Sequence, residues 1–154
     1  MAWVIPTAED SAKYDLYIGA KDGVIANEYS GYLFNRFIKL ISIDFKDNFD
    51  TSHVVNMDAM FSAWNYSTLQ RTESSLLKIN GLNNFITNNV QTMYAMFDGN
   101  DKLKEINISN FNTNSLLNMG SMFNSCSGLE TLDLSNFDTS KVTNMYGSFI
   151  IVKI

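Results

Sequence analysis

The chain repeats itself, and a repeat too small to fold alone leaves few architectures open. Clusters ending in an aromatic recur at Tyr32-Leu-Phe34, Met57-Asp-Ala-Met-Phe61, Met93-Tyr-Ala-Met-Phe97, Met119-Gly-Ser-Met-Phe123 and Met145-Tyr-Gly-Ser-Phe149. Their terminal phenylalanines lie 27, 36, 26 and 26 residues apart. Between them run Leu40-Ile-Ser-Ile-Asp-Phe45, Leu76-Leu-Lys-Ile-Asn-Gly81, Leu103-Lys-Glu-Ile-Asn-Ile108 and Leu129-Glu-Thr-Leu-Asp-Leu134. Each run leads to an Asn-Phe pair, at 48–49, 84–85, 110–111 and 136–137. A threonine stands two residues after each of these phenylalanines, and the next methionine cluster opens eight residues after it. The long interval is the same unit with extra residues, most of them between Phe61 and Leu76.

Each unit reads as a short strand followed by a short helix. In Leu-x-x-Ile-Asx-Leu the residues flanking the Asx share one face, the pattern of a half-buried strand. Val54, Met57, Met60 and Phe61 then fall at i, i+3, i+6 and i+7, which predicts one face of a helix. Val90 to Phe97 and Leu116 to Phe123 repeat the pattern, and Val142 to Phe149 keeps it with Ser148 in place of the second methionine. The Thr or Ser before each helix is positioned to cap it. The apolar burial available to one unit is smaller than the conformational entropy of ordering it, so units must stack. The expected fold is an α/β repeat solenoid of short parallel strands and short helices. Tyr14-Asp-Leu-Tyr-Ile18 and Val24-Ile25-Ala26 flank Asp22-Gly23, which predicts an N-terminal β-hairpin cap that blunts the first edge. The expected division is a lead over 1–13, the cap and a first turn over 14–34, and repeats over 35–61, 62–97, 98–123 and 124–149. The second repeat carries an inserted loop over 62–75. The apolar end over 150–154 reads as the stub of a longer array, open to self-association.

Composition narrows the function classes. Apolar residues make up 45% of 154 and charged residues 18%, enough for a core and too apolar for disorder. No apolar run reaches the ~20 residues that span a bilayer. A net charge of −5 argues against nucleic acid, whose phosphates attract a basic surface. The start, Met1-Ala-Trp-Val-Ile-Pro6, has neither the basic nor the apolar region of an export signal. Asparagine occupies 19 positions. Two readings account for it: a column at 48, 84, 110 and 136 satisfying backbone groups inside the corners, or tolerance of left-handed turns.

The string Leu129-Glu-Thr-Leu-Asp-Leu-Ser-Asn-Phe-Asp-Thr-Ser-Lys-Val-Thr-Asn-Met145, preceded by Met122-Phe-Asn-Ser-Cys-Ser-Gly128, resembles the BspA-like leucine-rich repeat family of bacterial surface proteins. The likeness covers roughly residues 14–149. It implies a right-handed leucine-rich-repeat-like coil, a cell-surface or extracellular location, and a role in adhesion or recognition. It implies no known ligand and no catalytic residue.

Candidate chemistry is sparse, and no cofactor is expected. His53 sits in a turn without a nucleophile motif such as Gly-x-Ser-x-Gly, so it reads as a solvated side chain. Cys126 has no cationic neighbour in sequence to lower its pKa and reads as structural. The methionines at helical spacing, Met145 among them, read as core. The strand-face column Asp44, Asn80, Asn107 and Asp133 is a thin ligand set for a hard cation, so no metal is expected. For partner binding that same face, with Lys78, Glu105 and Thr131, varies from unit to unit. The insert brings Trp64, Tyr66 and Arg71, residue types enriched at interface hot spots; the other reading folds Trp64 and Tyr66 back on the second and third units as local packing. The expected function is a non-catalytic module that binds a protein or a glycan, a host matrix component among the candidates; the alternative is a structural piece that self-associates through its C-terminal end.

Overall fold

A computed structural model describes residues 2–8, 12–46 and 49–150. Eight short strands appear in it: β1 (Ala2–Pro6), β2 (Tyr14–Ile18), β3 (Val24–Ile25), β4 (Leu40–Asp44), β5 (Phe49–Asp50), β6 (Trp64–Asn65), β7 (Gln70–Arg71) and β8 (Lys78–Asn80). They form one four-stranded sheet in the order β1-β2-β4-β8 and two two-stranded pairs, β3-β5 and β6-β7. β1 is antiparallel to β2, while β2, β4 and β8 run parallel.

The expected α/β solenoid is overturned by this structure. Among the described residues there is no α-helix, only a 3-10 turn over Leu82–Asn84. The sheets are small and mixed, and they do not close into a regular strand-and-helix coil. The reason lies in where the backbone N–H groups of the methionine clusters point. Met57, Met93 and Met119 donate to the carbonyls of Thr92, Asn118 and Asn144, each in the following repeat, at 2.9 Å. Ala59, Ala95 and Ser121 donate likewise to Tyr94, Gly120 and Tyr146, and Phe61, Phe97 and Phe123 to Met96, Met122 and Ser148. The intervening N–H of Met60, Met96, Met122 or Ser148 closes a four-residue turn onto the methionine three residues back. An α-helix would need all of them for its own i−4 carbonyls. Ala59, Ala95, Ser121 and Gly147 adopt left-handed φ of 51°, 54°, 56° and 68°, which no helix interior tolerates.

Successive clusters therefore stack in parallel register, marked by the bridges Tyr29, Asn56, Thr92, Asn118 and Asn144. The phenylalanine rings follow suit. Phe34, Phe61, Phe97, Phe123 and Phe149 stack face to face, with centroids 5.5, 5.5, 5.6 and 5.9 Å apart and interplanar angles of 17° or less. Such offset stacks add to the apolar area they bury. A second file, Phe49, Phe85 and Phe111, lines the Asn-Phe corner, and Phe45 wedges between the two files. The methionines of the first three full clusters are fully buried, as expected, but Met145 is 45% exposed in the last coil.

The strands are shorter than the apolar runs. Over 103–108 and 129–134 no strand forms; single bonds from Lys104 N–H to Leu77 and from Glu130 N–H to Lys104 hold the register. The predicted hairpin over 14–27 is also absent. β2 takes β1 as its antiparallel partner, so the lead over 1–13 supplies the edge strand, and β3 pairs parallel with β5 instead.

The corners are satisfied by threonine rather than by an inner asparagine column. Buried Thr51, Thr87 and Thr113 are not helix caps. Each hydroxyl donates to the carbonyl of Ile86, Asn112 or Asp138 and accepts that same residue's N–H, at 2.7–3.1 Å. Asn84, Asn110 and Asn136 are exposed, although Asn84 and Asn136 still donate to carbonyls of the preceding repeat. Asn48 lies outside the described residues. Asn56, Asn118 and Asn144 accept the N–H two residues on, at 2.8–3.0 Å. Where Thr92 interrupts that column, Asp58 of the preceding coil substitutes, accepting the Tyr94 N–H at 2.8 Å and the Thr92 hydroxyl.

Two substitutions test this account. Thr87→Val leaves the N–H and carbonyl of Asn112 without their partner and should cost about 1–3 kcal/mol in urea unfolding. Thr139→Val, on an exposed equivalent, should stay within about 0.5 kcal/mol. Ala95→Val forces a branched side chain into a buried left-handed site and should cost about 2–4 kcal/mol, whereas Ala95→Gly should be neutral or stabilising.

Candidate functional site

The parallel strands β4 and β8 and the run over 104–107 set their alternate side chains on one outward face. Lys78 pairs with Ser42 and Asn80 with Asp44 across the β4-β8 ladder. Lys78, Asn80, Glu105, Asn107 and Thr131, all chosen from sequence, come together around a shallow cleft of about 350 Å³. Ile79, Gly81, Asn83 and Ile106 complete it. Asn83 and Gly81 escaped the sequence reading because they follow the strand rather than alternate along it. The signal was Asn80-Gly81: the glycine at φ 85° turns the chain back beside the cleft.

The other two strand-face carboxylates are engaged locally. Asp44 accepts the backbone N–H of Lys46 at 2.9 Å and its ammonium at 2.7 Å, and that ammonium also sits 5.0 Å from the Tyr17 ring centroid. Asp133 accepts the Ser135 N–H at 2.9 Å, and Asn107 accepts that of Ser109. These Asx turns end β4 at Asp44 and close the strandless runs at Asn107 and Asp133, so the column is structural at Asp44 and Asp133. Among the described residues no group of three or more His, Cys, Asp or Glu side chains could hold a metal.

The cleft is balanced in charge, since Lys78 and Glu105 both line it. The remaining polar groups, Asn80, Asn107 and Thr131, both donate and accept. A neutral ligand rich in hydroxyls or amides matches that inventory. The Lys104–Glu130 pair nearby, at 3.3 Å with both side chains more than half exposed, contributes little.

The insert is anchored to the first coil. β6 and β7 pair antiparallel, Trp64 opposite Arg71, and Asn65 caps the turn by accepting the N–H of Ser67. Asn35 ties the insert to the first coil through the carbonyls of Ser62 and Trp64. Tyr66 is half-buried, packed edge-on against Tyr32 at 5.4 Å with its hydroxyl 3.5 Å from Ser62 Oγ. Burial, with Asp98, Tyr32 and Tyr94 around it, pushes its phenol well above the usual value. Trp64 is half-buried, and the Arg71 side chain lies outside what the structure describes. Tyr32 is the partner sequence reasoning missed; the spacing of one repeat between Phe34 and Phe61 places it within reach of the insert. The insert is therefore separate from the strand-face cleft.

His53 is exposed and lines an open groove of about 370 Å³ with Glu28, Val55, Asn89, Gln91 and Ser115. Cys126 is fully buried and its thiol donates to the Phe97 carbonyl at 3.2 Å, a packing role.

The Asx turns carry a pH signature. At Asp44 burial opposes ionisation, but Lys46 outweighs it and holds the carboxyl below its ordinary value. At Asp50 the N–H and hydroxyl of Ser52 do the same, and at Asp133 those of Ser135. A lowered carboxyl pKa stabilises the fold above the unfolded value and loses that contribution as pH falls through the folded one. The thermal midpoint should therefore decline once pH drops below 3.8, and Asp44→Asn should flatten part of that decline.

The family described as "Mycoplasma protein of unknown function, DUF285" matches residues 32–67 and 66–151, which takes in every stacked cluster above. No curated protein and no solved structure matches the chain. The chain belongs to the DUF285 family of Mycoplasma proteins of unknown function.

Proposed function

We propose that the chain is a non-catalytic binding module whose strand-face cleft takes a neutral polar ligand, a glycan before a protein. One observation carries this reading. The inward columns repeat the same residue types, Phe on Phe, Met on Met and Thr on Thr, while the strand-face column changes at every step, from Ser42 beside the cleft to Lys78, Glu105 and Thr131 lining it. A fixed scaffold with a variable outer face is how repeat proteins present binding surfaces. The resemblance of the 129–145 string to BspA-like repeats supports a place at the cell surface, in adhesion or recognition.

A second reading, assembly of copies, is favoured by the last coil, where Met145, Phe149 and Ile150 are 42–50% exposed. In the binding reading, a glycan array and immobilised matrix glycoproteins should retain the chain. Lys78→Ala with Glu105→Ala should then weaken retention at least tenfold, while Trp64→Ala leaves it within about twofold, since a lost anchor of this kind is worth about 1–3 kcal/mol. Retention of no glycan, or loss only with Trp64→Ala, overturns the cleft.

A further inference from the structure

The interrepeat ladder has a direction. In the clusters over 57–61, 93–97 and 119–123 alternate N–H groups point toward the following coil and the carbonyls that receive them belong to it, while just before a cluster the bonds run back, as from Gln91 N–H to the Val55 carbonyl. The two ends of the stack are therefore chemically different. In the last coil the N–H groups of Met145, Gly147 and Phe149 occupy the donor positions and have no acceptor among the described residues. In the first coil the carbonyls of Tyr29, Gly31 and Leu33 occupy the acceptor positions and have no donor among the described residues. Tyr29 and Leu33 are exposed at one end, Met145 and Phe149 at the other.

We propose that copies of this chain associate head to tail, the cluster over 145–149 of one copy seated on the cluster over 29–34 of the next. This deepens the assembly reading above and rests on it. Continuing the register pairs Met145 N–H with the Tyr29 carbonyl, Gly147 with Gly31 and Phe149 with Leu33, as Met119, Ser121 and Phe123 pair with Asn144, Tyr146 and Ser148. Tail-to-tail pairing is disfavoured because it would set donors against donors. On the sheet side the first coil is already covered by β1, which is antiparallel and ends the ladder there. The contact is thus confined to the methionine flank. A heterologous contact of this kind leaves one free head and one free tail at every stage, so it grows open-ended chains rather than closed dimers.

Sedimentation velocity of the intact chain across a wide concentration range reads this directly. The expected result is a mass that rises with concentration without a plateau at the dimer. The tail variant Phe149→Lys and the head variant Leu33→Lys should each stay monomeric alone. Mixed in equal amounts they should form a one-to-one dimer and nothing larger, since each supplies the end the other lacks. Met145→Lys serves as a second tail variant, and circular dichroism with the urea midpoint verifies that each variant is folded. A chain that stays monomeric at every concentration overturns both this proposal and the assembly reading. A Leu33→Lys variant that still dimerises alone overturns the head-to-tail geometry and leaves self-association standing.

Discussion

Everything in this fold depends on where the backbone N–H groups of the methionine clusters go. Alternate amides leave their own coil and bond to the next one, so the secondary structure of one repeat is made by its neighbour. A helix would have kept those bonds inside the segment and left the repeat independent. By directing them outward, the chain couples each coil to the next through backbone, through the stacked phenylalanines and through the threonine hydroxyls at the corner. Coupling of that kind makes stability a nearest-neighbour property, with little in any single coil to hold it alone.

The cost of this arrangement is a left-handed residue in every cluster and a corner rich in backbone groups. Small residues at 59, 95, 121 and 147 limit the first. The second is met by side chains that imitate backbone: a threonine hydroxyl that donates and accepts at once, and an asparagine carbonyl that takes the N–H two residues on. The exchange at Thr92, where Asp58 reaches across from the preceding coil to accept the Tyr94 N–H, shows that the requirement belongs to the amide and not to the asparagine.

Much of this was legible in the chain itself. The buried phenylalanine and methionine columns and the outward strand face follow from spacing alone, and the cleft gathers five residues chosen that way. The helices were misread because i, i+3, i+6 and i+7 describe two successive tight turns as well as one helix face. What separates them is the Ala, Ser or Gly two residues after the first methionine, a small side chain at a left-handed position. The hairpin failed for a different reason. Asp22-Gly23 does make a turn, but β3 continues into the coil and finds a parallel partner in β5, a long-range choice that no local pattern records. The partner of Tyr66 was likewise hidden, because Tyr32 lies outside the second and third units on which the insert was expected to fold back.

A rigid, repetitive interior and a changing outer face belong together: the bonds between coils fix the backbone, so strand-face side chains can differ without disturbing it. The measurement that tests this most directly is the scalar coupling transmitted across backbone hydrogen bonds in a solution NMR spectrum. The Ala95 N–H should couple to the Gly120 carbonyl, and the Ala59 N–H to that of Tyr94. Coupling of Ala95 to Gln91, four residues back as in a helix, would contradict the account.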